Sequence, residues 1–401
     1  MSAYITWGSA VHSWRRLDGI DLLRGAAIFF VLMNHVNMRL RLGHVPYGQS
    51  LPHQVLSTLV WSAQYGVQMF FAVSGFLITS TSLRRWRSPA GIRPREFYLL
   101  RFARIAPLLI LLLVILVALH CIGLSWFVVS EQTGGLGPAL FAALTFNINV
   151  LEAHRGYLPG NWDVLWSLSV EEAFYLFFPI VCLWLGRGRW LNLLLIAFVA
   201  IGPFARTILA GPNEVWQEYS YLGGMDAIAM GCLTALVVRS VRLSRGKLIA
   251  ARAIGVGFIA FILGFSLLVE RMGLPQLGLD MTILALGTCL VMATVVQAPR
   301  RLPMVARPLL WFGQRSYEIY LTHMFLVIGL YVLFTRLGAP SIGVPALFVA
   351  TVLLAGLLGE IVARFCSEPM NRHLRQRWGE GPSRLGSVLE HSVPGDGLSP
   401  K

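Results

Sequence analysis

Long apolar stretches recur along the whole chain and constrain its fold more than any other feature. An apolar run of about 20 residues can cross a bilayer as an α-helix, because a helix satisfies its own backbone hydrogen bonds. Only 13% of the 401 residues are charged, against about 25% in soluble domains. The sequence therefore predicts an all-α, polytopic integral membrane bundle and excludes a soluble globular enzyme. The stretches lie near 20–38, 55–83, 97–127, 137–151, 165–186, 190–210, 222–239, 248–269, 279–297, 309–334 and 343–366.

The distribution of basic residues predicts which connections face the cytoplasm. These residues concentrate near 84–104, 239–247, 300–307 and 372–377, and cytoplasmic loops of membrane proteins carry such an excess. Successive connections must alternate between the two sides of the membrane. This requirement gives ten spans if one short stretch, 137–151, does not cross. We therefore predict that this stretch is a re-entrant or interfacial segment.

This topology divides the chain into three segments. Residues 1–19 form a cytoplasmic N-terminus, residues 20–370 form the transmembrane domain, and residues 371–401 form a cytoplasmic tail. The tail is predicted to be disordered, because residues 379–401 are rich in Gly, Ser and Pro.

Several functional classes are not supported by the sequence. The net charge of +14 does not indicate nucleic-acid binding, because the basic residues form short clusters between apolar runs. No Walker loop, dinucleotide fingerprint, metal-ligand cluster or nucleophile elbow is visible, so neither a metal site nor a bound cofactor is predicted. The polar residues inside the spans are therefore the candidate functional groups.

The first span carries two ionisable residues on one helical face, Arg24 and His35. Eleven residues of helix correspond to about three turns, or roughly 16 Å along the axis. An ionisable group inside a membrane costs about 2.5–3.5 kcal/mol on insertion scales and needs a reason. Either the pair serves function, or Arg24 simply pairs with Asp21 and His35 makes a structural polar contact.

Two adjacent carboxylates, Glu171 and Glu172, lie in the apolar span near 165–186. The predicted topology brings them to a depth similar to that of His35. A carboxylate beside an imidazole raises the proton affinity of the ring and fixes its tautomer, which suits proton transfer. The alternative is a structural ion pair between these carboxylates and an arginine elsewhere.

A pair of arginines, Arg101 and Arg104, shares one face at the start of the third stretch. The guanidinium fork suits phosphate groups because it makes bidentate contacts. The alternative is that both residues only set the orientation of the helix in the membrane.

Polar side chains also follow one face of the tenth stretch, at Ser316, Tyr320 and His323. Such a face should point into the bundle or a wet cavity. Hydrogen bonding between helices explains it as well as catalysis does. In the second span, Ser74 precedes Gly75, and small residues there predict close helix packing.

Together these groups predict a group-transfer reaction. A histidine and a carboxylate at one depth can deprotonate a hydroxyl, and arginines on the inner side can hold an anionic cosubstrate. The donor would be cytoplasmic and phosphate-bearing, and the acceptor would lie in or beyond the membrane. The alternative is a transporter or flippase of a glycan or lipid precursor, although the internal repeats typical of such proteins are not seen.

The motifs, taken in order, resemble those of membrane acyltransferase family 3, integral-membrane O-acyltransferases that modify bacterial glycans, lipids and some antibiotics. The resemblance covers about residues 15–370. The matching segments are DLLRGAAIFFVLMNH with Asp21, Arg24 and His35; FFAVSGFL with Ser74; RFARIAP with Arg101 and Arg104; WSLSVEEAFY with Trp166, Glu171 and Glu172; and SYEIYLTH with Ser316, Tyr320 and His323.

The resemblance implies ten spans in a bacterial inner membrane, with both termini cytoplasmic. It implies transfer of an acyl group, most often acetyl, from cytoplasmic acyl-CoA to a hydroxyl of a glycan, a glycolipid or another glycosylated acceptor. Acyl-CoA would be a cosubstrate, and no bound cofactor is expected. We also expect the stand-alone form of the family, without a soluble extracytoplasmic domain.

The resemblance also implies residue roles. His35 is expected to be the catalytic base, assisted by Glu171. Arg24, Arg101 and Arg104 are expected to bind acyl-CoA. The other matched residues are expected to bind the acceptor or to support the site: Asp21, Ser74, Trp166, Glu172, Ser316, Tyr320 and His323.

Overall fold

The computed structural model describes residues 18–48, 53–299 and 302–378. Three segments on which sequence predictions fall, 1–17, Arg300–Arg301 and 379–401, lie outside the described residues. The first half of the described chain forms α1 (Asp18–Leu42), α2 (His53–Val60), α3 (Ala63–Trp86), α4 (Pro94–Cys121), α5 (Leu136–Leu144), α6 (Ile148–Arg155), α7 (Gly160–Asp163), α8 (Leu165–Leu185) and α9 (Trp190–Arg206).

The second half of the described chain is also helical. It forms α10 (Glu214–Tyr219), α11 (Tyr221–Ser240), α12 (Arg245–Gly264), α13 (Ser266–Arg271), α14 (Leu279–Gln297), α15 (Arg307–Gln314), α16 (Ser316–Arg336), α17 (Val344–Val362) and α18 (Glu368–Arg377).

Among the described residues, nine helices are long and apolar enough to cross a membrane. Helix α9 is a shorter apolar helix of 17 residues, and its length of about 26 Å lies at the lower limit for a span. The predicted all-α polytopic bundle is confirmed. The side of the membrane that each connection faces stays a prediction.

The stretch near 137–151 forms two short helices instead of one. Helices α5 and α6 have 9 and 8 residues, or about 12–14 Å each, and neither can cross about 30 Å of hydrocarbon. The chain breaks between them around Phe146, whose φ is +56°. This agrees with the predicted absence of a crossing here.

The last apolar stretch continues further than the sequence indicates. A π-helical turn at Ala363–Ser367 joins α17 directly to α18. The predicted tail at 371–401 therefore needs correction, because its first seven residues are helical. The extension is held to the bundle by Glu368, which pairs with Arg315.

Close helix contacts hold the centre of the bundle together. Gly75 of α3 faces the carbonyl of Ile228 on α11, and Gly231 of α11 faces the carbonyl of Ala72, with no room for a Cβ at either glycine. The close packing predicted for Gly75 is confirmed. Helix α1 packs between α3, α15 and α16, so its polar face is turned toward the interior of the bundle.

A buried ion pair fixes three of these helices to one another. Arg206 of α9 donates to both carboxylate oxygens of Asp226 on α11, at 3.0 and 2.9 Å, and Gln68 of α3 donates to the same carboxylate at 2.9 Å. The carboxylate is fully buried, so each bond compensates its desolvation. These three residues are not among the predicted site residues.

Candidate active site

Two histidines from different helices meet inside the bundle. The rings of His35 on α1 and His323 on α16 have centroids 4.9 Å apart at an interplanar angle of 63°. His323 is fully buried, whereas His35 is partly accessible. We call these two residues the histidine pair.

Backbone contacts fix the tautomer of both rings. Nδ1 of His35 lies 2.8 Å from the carbonyl of Val31, and Nδ1 of His323 lies 2.7 Å from the carbonyl of Tyr320. A carbonyl oxygen only accepts hydrogen bonds, so Nδ1 carries the proton in each neutral ring. Each Nε2 is then left with a lone pair, and Nε2 of His323 is buried without a partner.

The two carboxylates of α8 pair with an arginine of α4. Nη2 of Arg101 lies 3.1 Å from Glu172 and 3.6 Å from Glu171. The guanidinium also stacks 3.5 Å above the ring of Tyr175, whose hydroxyl contacts Ser74. We call Arg101, Glu171 and Glu172 the carboxylate cluster.

The predicted contact between His35 and Glu171 is not formed in the described structure. His35 contacts His323 and Val31, whereas Glu171 pairs with Arg101. The physical reason is that similar depth does not place two side chains on facing sides of their helices. The structural ion pair that the sequence left open as an alternative is the arrangement observed.

A tyrosine and a serine lie beside the histidine pair. The hydroxyl of Tyr320 lies 2.6 Å from Oγ of Ser167 and 3.0 Å from the carbonyl of Val164. The Tyr320 ring centroid lies 5.9 Å from that of His323. The hydrogen bond between these two hydroxyls therefore joins α8 to α16 at a position one helical turn from His323.

A large cavity reaches this point from the arginine-rich end of the bundle. Its volume is about 2080 Å³, above the 300–1,000 Å³ of ordinary ligand pockets. Its inner wall includes Ser74, Glu171, Ser167 and Tyr320, and arginines surround its opposite end. A long anionic ligand could thus extend from the arginines to the hydroxyls beside the histidine pair.

The arginines predicted to bind acyl-CoA differ in their surroundings. Arg24, Arg101 and Arg104 all line the cavity. Arg24 donates to Asp21 at 3.2 Å, which is the local pairing left open by the sequence, and Arg101 belongs to the carboxylate cluster. Arg104 is exposed and makes no ion pair within the described part of the chain.

The other predicted residues divide between the cavity wall and the core. Ser316 lines the cavity, whereas Trp166 is stacked on Tyr219 with ring centroids 4.1 Å apart. Trp166 therefore contributes packing. Glu172, which was expected only to bind the acceptor or support the site, makes a shorter contact to Arg101 than Glu171 does.

Comparison with known proteins identifies the family of the chain. A family profile described as "Acyltransferase domain", acyltransferase family 3, matches residues 17–360. The chain belongs to this acyltransferase family. The resemblance inferred from the motifs is thus confirmed.

Relatives of this acyltransferase-family chain include two curated proteins. It is 25% identical over 382 residues to the peptidoglycan O-acetyltransferase OatA of Listeria monocytogenes, covering 90% of this chain and 57% of the relative. It is 22% identical over 378 residues to the O-acetyltransferase OatA of Staphylococcus aureus, covering 90% of this chain and 58% of the relative. The chain thus spans less than two thirds of the length of either relative. No solved structure matches it.

The acyltransferase-family chain also has polar residues near the site that the sequence analysis missed. Arg39 follows His35 by one helical turn and packs against Gly160. Asp163 accepts a hydrogen bond from Tyr219 at 3.1 Å. Burial, and then the charge of Asp163, raise the pKa of the nearby Glu152 well above its usual value. Arg39 could have been found from the sequence, because it lies one helical turn after His35. Asp163 and Glu152 have no comparable pattern in their local sequence.

Proposed function

We propose that the protein is an integral-membrane O-acyltransferase that takes an acyl group, most often acetyl, from cytoplasmic acyl-CoA. The single observation that carries the proposal is the course of the cavity. It extends from an arginine-rich opening to Ser167 and Tyr320, which lie next to the histidine pair. Family membership supports the same reaction class.

In the proposed reaction, Nε2 of His35 removes the proton from the acceptor hydroxyl. The hydroxyl oxygen attacks the thioester carbonyl, a new C–O bond forms and the C–S bond breaks. The departing sulfur then takes the proton from the imidazole, so CoA leaves as a thiol and His35 returns neutral. A base of this kind contributes about 10²–10⁴-fold to the rate.

The other residues have supporting roles in this proposal. His323 packs on His35 and fixes the orientation of its ring. Glu171 forms part of the cavity wall and acts through the carboxylate cluster instead of through direct contact with His35. Tyr320 and Ser167 present hydroxyls where the thioester carbonyl would arrive. A hydroxyl that turns from its present partner can donate a hydrogen bond to developing negative charge there.

We further propose that the acceptor is a sugar hydroxyl of a glycan or a lipid-linked glycan precursor. The support is the name of the Listeria relative, a peptidoglycan O-acetyltransferase. The corresponding location is the bacterial inner membrane, with both termini cytoplasmic. Arg39 lies one helical turn after His35 on α1 and contacts Gly160 of α7, so we propose that the acceptor approaches from that side.

Labelled acetyl-CoA tests the proposal. Membranes containing the wild-type chain and membranes without it receive acetyl-CoA labelled in the acetyl group, and glycans and lipids are then separated. We expect label in an ester of a glycan or glycolipid only where the chain is present, and mild base should release it. Movement of a glycan across the membrane without incorporation of label would instead favour a transporter.

A further inference from the structure

The mouth of the cavity carries a large excess of positive charge. Of the described residues that line the cavity, ten are arginines and two, Asp18 and Glu171, are carboxylates. Three of these arginines, Arg24, Arg85 and Arg101, already pair with carboxylates. The positive charge that remains in this partly enclosed space attracts anions. The distribution of this charge along the cavity decides which arginines are available to a ligand.

The arginine at the inner end is already neutralised. Arg101 lies within ion-pair distance of Glu171 and Glu172, and the face of Tyr175 covers its guanidinium. A phosphate placed there would compete with two carboxylates that are themselves largely buried. The inner end is therefore suited to the uncharged acyl end of a donor.

Two arginines on helices α11 and α12 have neutral partners instead. Arg239 at the end of α11 donates to the carbonyl of Leu83 at 3.0 Å. Arg252 of α12 donates to Oγ1 of Thr294 at 3.2 Å and to carbonyls at the end of α14 at 3.4 Å. Within the described residues, neither they nor the neighbouring Arg242 form an ion pair. They keep their full charge.

These contacts also pre-position the side chains. A guanidinium has five N–H donors, and Arg239 uses one Nη while Arg252 uses Nε and one Nη. The remaining donors are available to phosphate oxygens, with which guanidinium groups form bidentate hydrogen bonds.

The length of the cavity matches a ligand that carries its reacting group at one end and its anionic groups at the other. Ser74 and Arg84 line the inner and outer parts of the same α3 wall, and ten residues of helix separate them by about 15 Å. A donor whose thioester reaches Ser74 therefore needs its anionic groups about that far away. An acyl-CoA carries its nucleotide phosphates at the far end of the pantetheine arm, whereas a truncated thioester has none.

We propose that Arg239, Arg242 and Arg252 form a phosphate-binding subsite that holds the nucleotide end of the acyl donor, whereas Arg101 positions the carboxylates at the acyl end. The donor is the acyl-CoA of the proposed function, on which this inference rests. The sequence analysis assigned acyl-CoA binding to Arg24, Arg101 and Arg104. The ion pairs of Arg101 argue for a positioning role for that residue instead.

Direct binding to the purified full-length chain tests this subsite without requiring turnover. The probes are CoA and pantetheine, which share the thiol arm and differ in the nucleotide phosphates. In Arg239→Gln/Arg242→Gln we expect the Kd for CoA to rise at least about tenfold, as expected when charge-assisted contacts are lost. We expect the Kd for pantetheine to change less than about twofold, and salt to weaken CoA binding more in the wild type than in the variant.

The matched control is Arg245→Gln. Arg245 is exposed at the start of α12, on the same end of the bundle, but does not line the cavity. CoA binding should be unchanged in this variant. Equal losses in the control would instead assign the effect to general surface charge, such as attraction to anionic lipid headgroups, and would overturn the subsite.

Two further results would also overturn it: wild-type protein that binds CoA no better than pantetheine, or an unchanged Kd for CoA in the double variant. Binding of CoA with the expected variant effects, but without acetyl transfer from acetyl-CoA, would preserve the phosphate subsite and refute the proposed function. The melting temperatures of all variants should match that of the wild type, which confirms that they fold.

Discussion

The histidine pair and the carboxylate cluster are both polar groups buried in one bundle, yet they are stabilised in opposite ways. In the histidine pair, neutral rings bind backbone carbonyls, and Nε2 of His323 has no partner. In the carboxylate cluster, Arg101 compensates Glu171 and Glu172. The first arrangement leaves a lone pair available, whereas the second engages both carboxylates in ion pairs with one guanidinium.

The two arrangements indicate which buried polar residues suit catalysis. A general base must have an accessible lone pair that no stronger partner occupies. A carboxylate held by a guanidinium inside a membrane is primarily compensating charge, because an unpaired ion there is costly. The contrast favours His35 as the reacting group and the carboxylate cluster as the part that shapes the cavity wall.

The largest effect on activity is expected from His35→Asn. The asparagine side-chain amide can still donate to the carbonyl of Val31 in place of Nδ1, but Nε2 is lost. We expect acetyl transfer to fall about 10²–10⁴-fold while the melting temperature stays within a few degrees of the wild type. Transfer is measured with labelled acetyl-CoA in membranes that contain equal amounts of protein.

His154→Asn is the matched control for this substitution. Nδ1 of His154 also lies 2.8 Å from the carbonyl four residues earlier, that of Val150, but the side chain is exposed on α6. Its replacement should leave transfer unchanged. If His35→Asn retains wild-type transfer, His35 is not the base. The difference between the histidine pair and the carboxylate cluster then does not identify the catalytic group.

The largest effect on stability is expected from Arg101→Met. The change keeps most of the side-chain volume but leaves Glu171 and Glu172 without their buried counter-charge. Removing one partner of such a pair costs about 3–5 kcal/mol of the free energy of unfolding. Thermal unfolding of the purified protein in detergent measures the loss, and Glu171→Gln/Glu172→Gln in the same chain should restore much of it.

Arg93→Met provides the comparison for that loss. Arg93 also pairs with a glutamate, Glu96, at 2.9 Å, but its side chain is 74% exposed. An exposed pair contributes only about 0–1 kcal/mol, so the melting temperature should barely change. Equal losses for the two variants would show that burial does not distinguish the carboxylate cluster from a surface ion pair.

The sequence predicted the elements of this bundle well because hydrophobic length is a local property. It also predicted the close approach at Gly75, since a small residue between apolar neighbours has a direct packing consequence. It could not predict that the chain would continue in a helix to Arg377. That extension depends on an ion pair between Arg315 and Glu368, which are 53 residues apart.

The partners within the site were not predictable for a related reason. The membrane topology gives each side chain a depth, but not the rotation of its helix or the identity of the helix it faces. His35 was therefore assigned to Glu171 at a similar depth, whereas the structure brings it to His323. The 71 residues that separate Arg101 from Glu172 likewise leave no local pattern for their ion pair.

The smallest effect is expected from Tyr320→Phe, which removes the hydroxyl of a cavity-lining residue whose ring lies beside His323. The variant loses the hydrogen bonds of Tyr320 to Ser167 and to the carbonyl of Val164. Each contributes about 0.5–1.5 kcal/mol to stability, so a small fall in the melting temperature is expected. Transfer should fall about tenfold, because the hydroxyl also lines the inner end of the cavity.

Tyr98→Phe is the control that separates the effect of a lost hydroxyl on stability from its effect on transfer. The hydroxyl of Tyr98 donates to the carbonyl of Leu176 at 2.6 Å and so also joins α8 to a neighbouring helix, but Tyr98 does not line the cavity. It should lose similar stability and keep full transfer. If both variants lose transfer equally, the hydroxyl of Tyr320 only holds helices together, and the path from the cavity to the histidine pair must pass elsewhere.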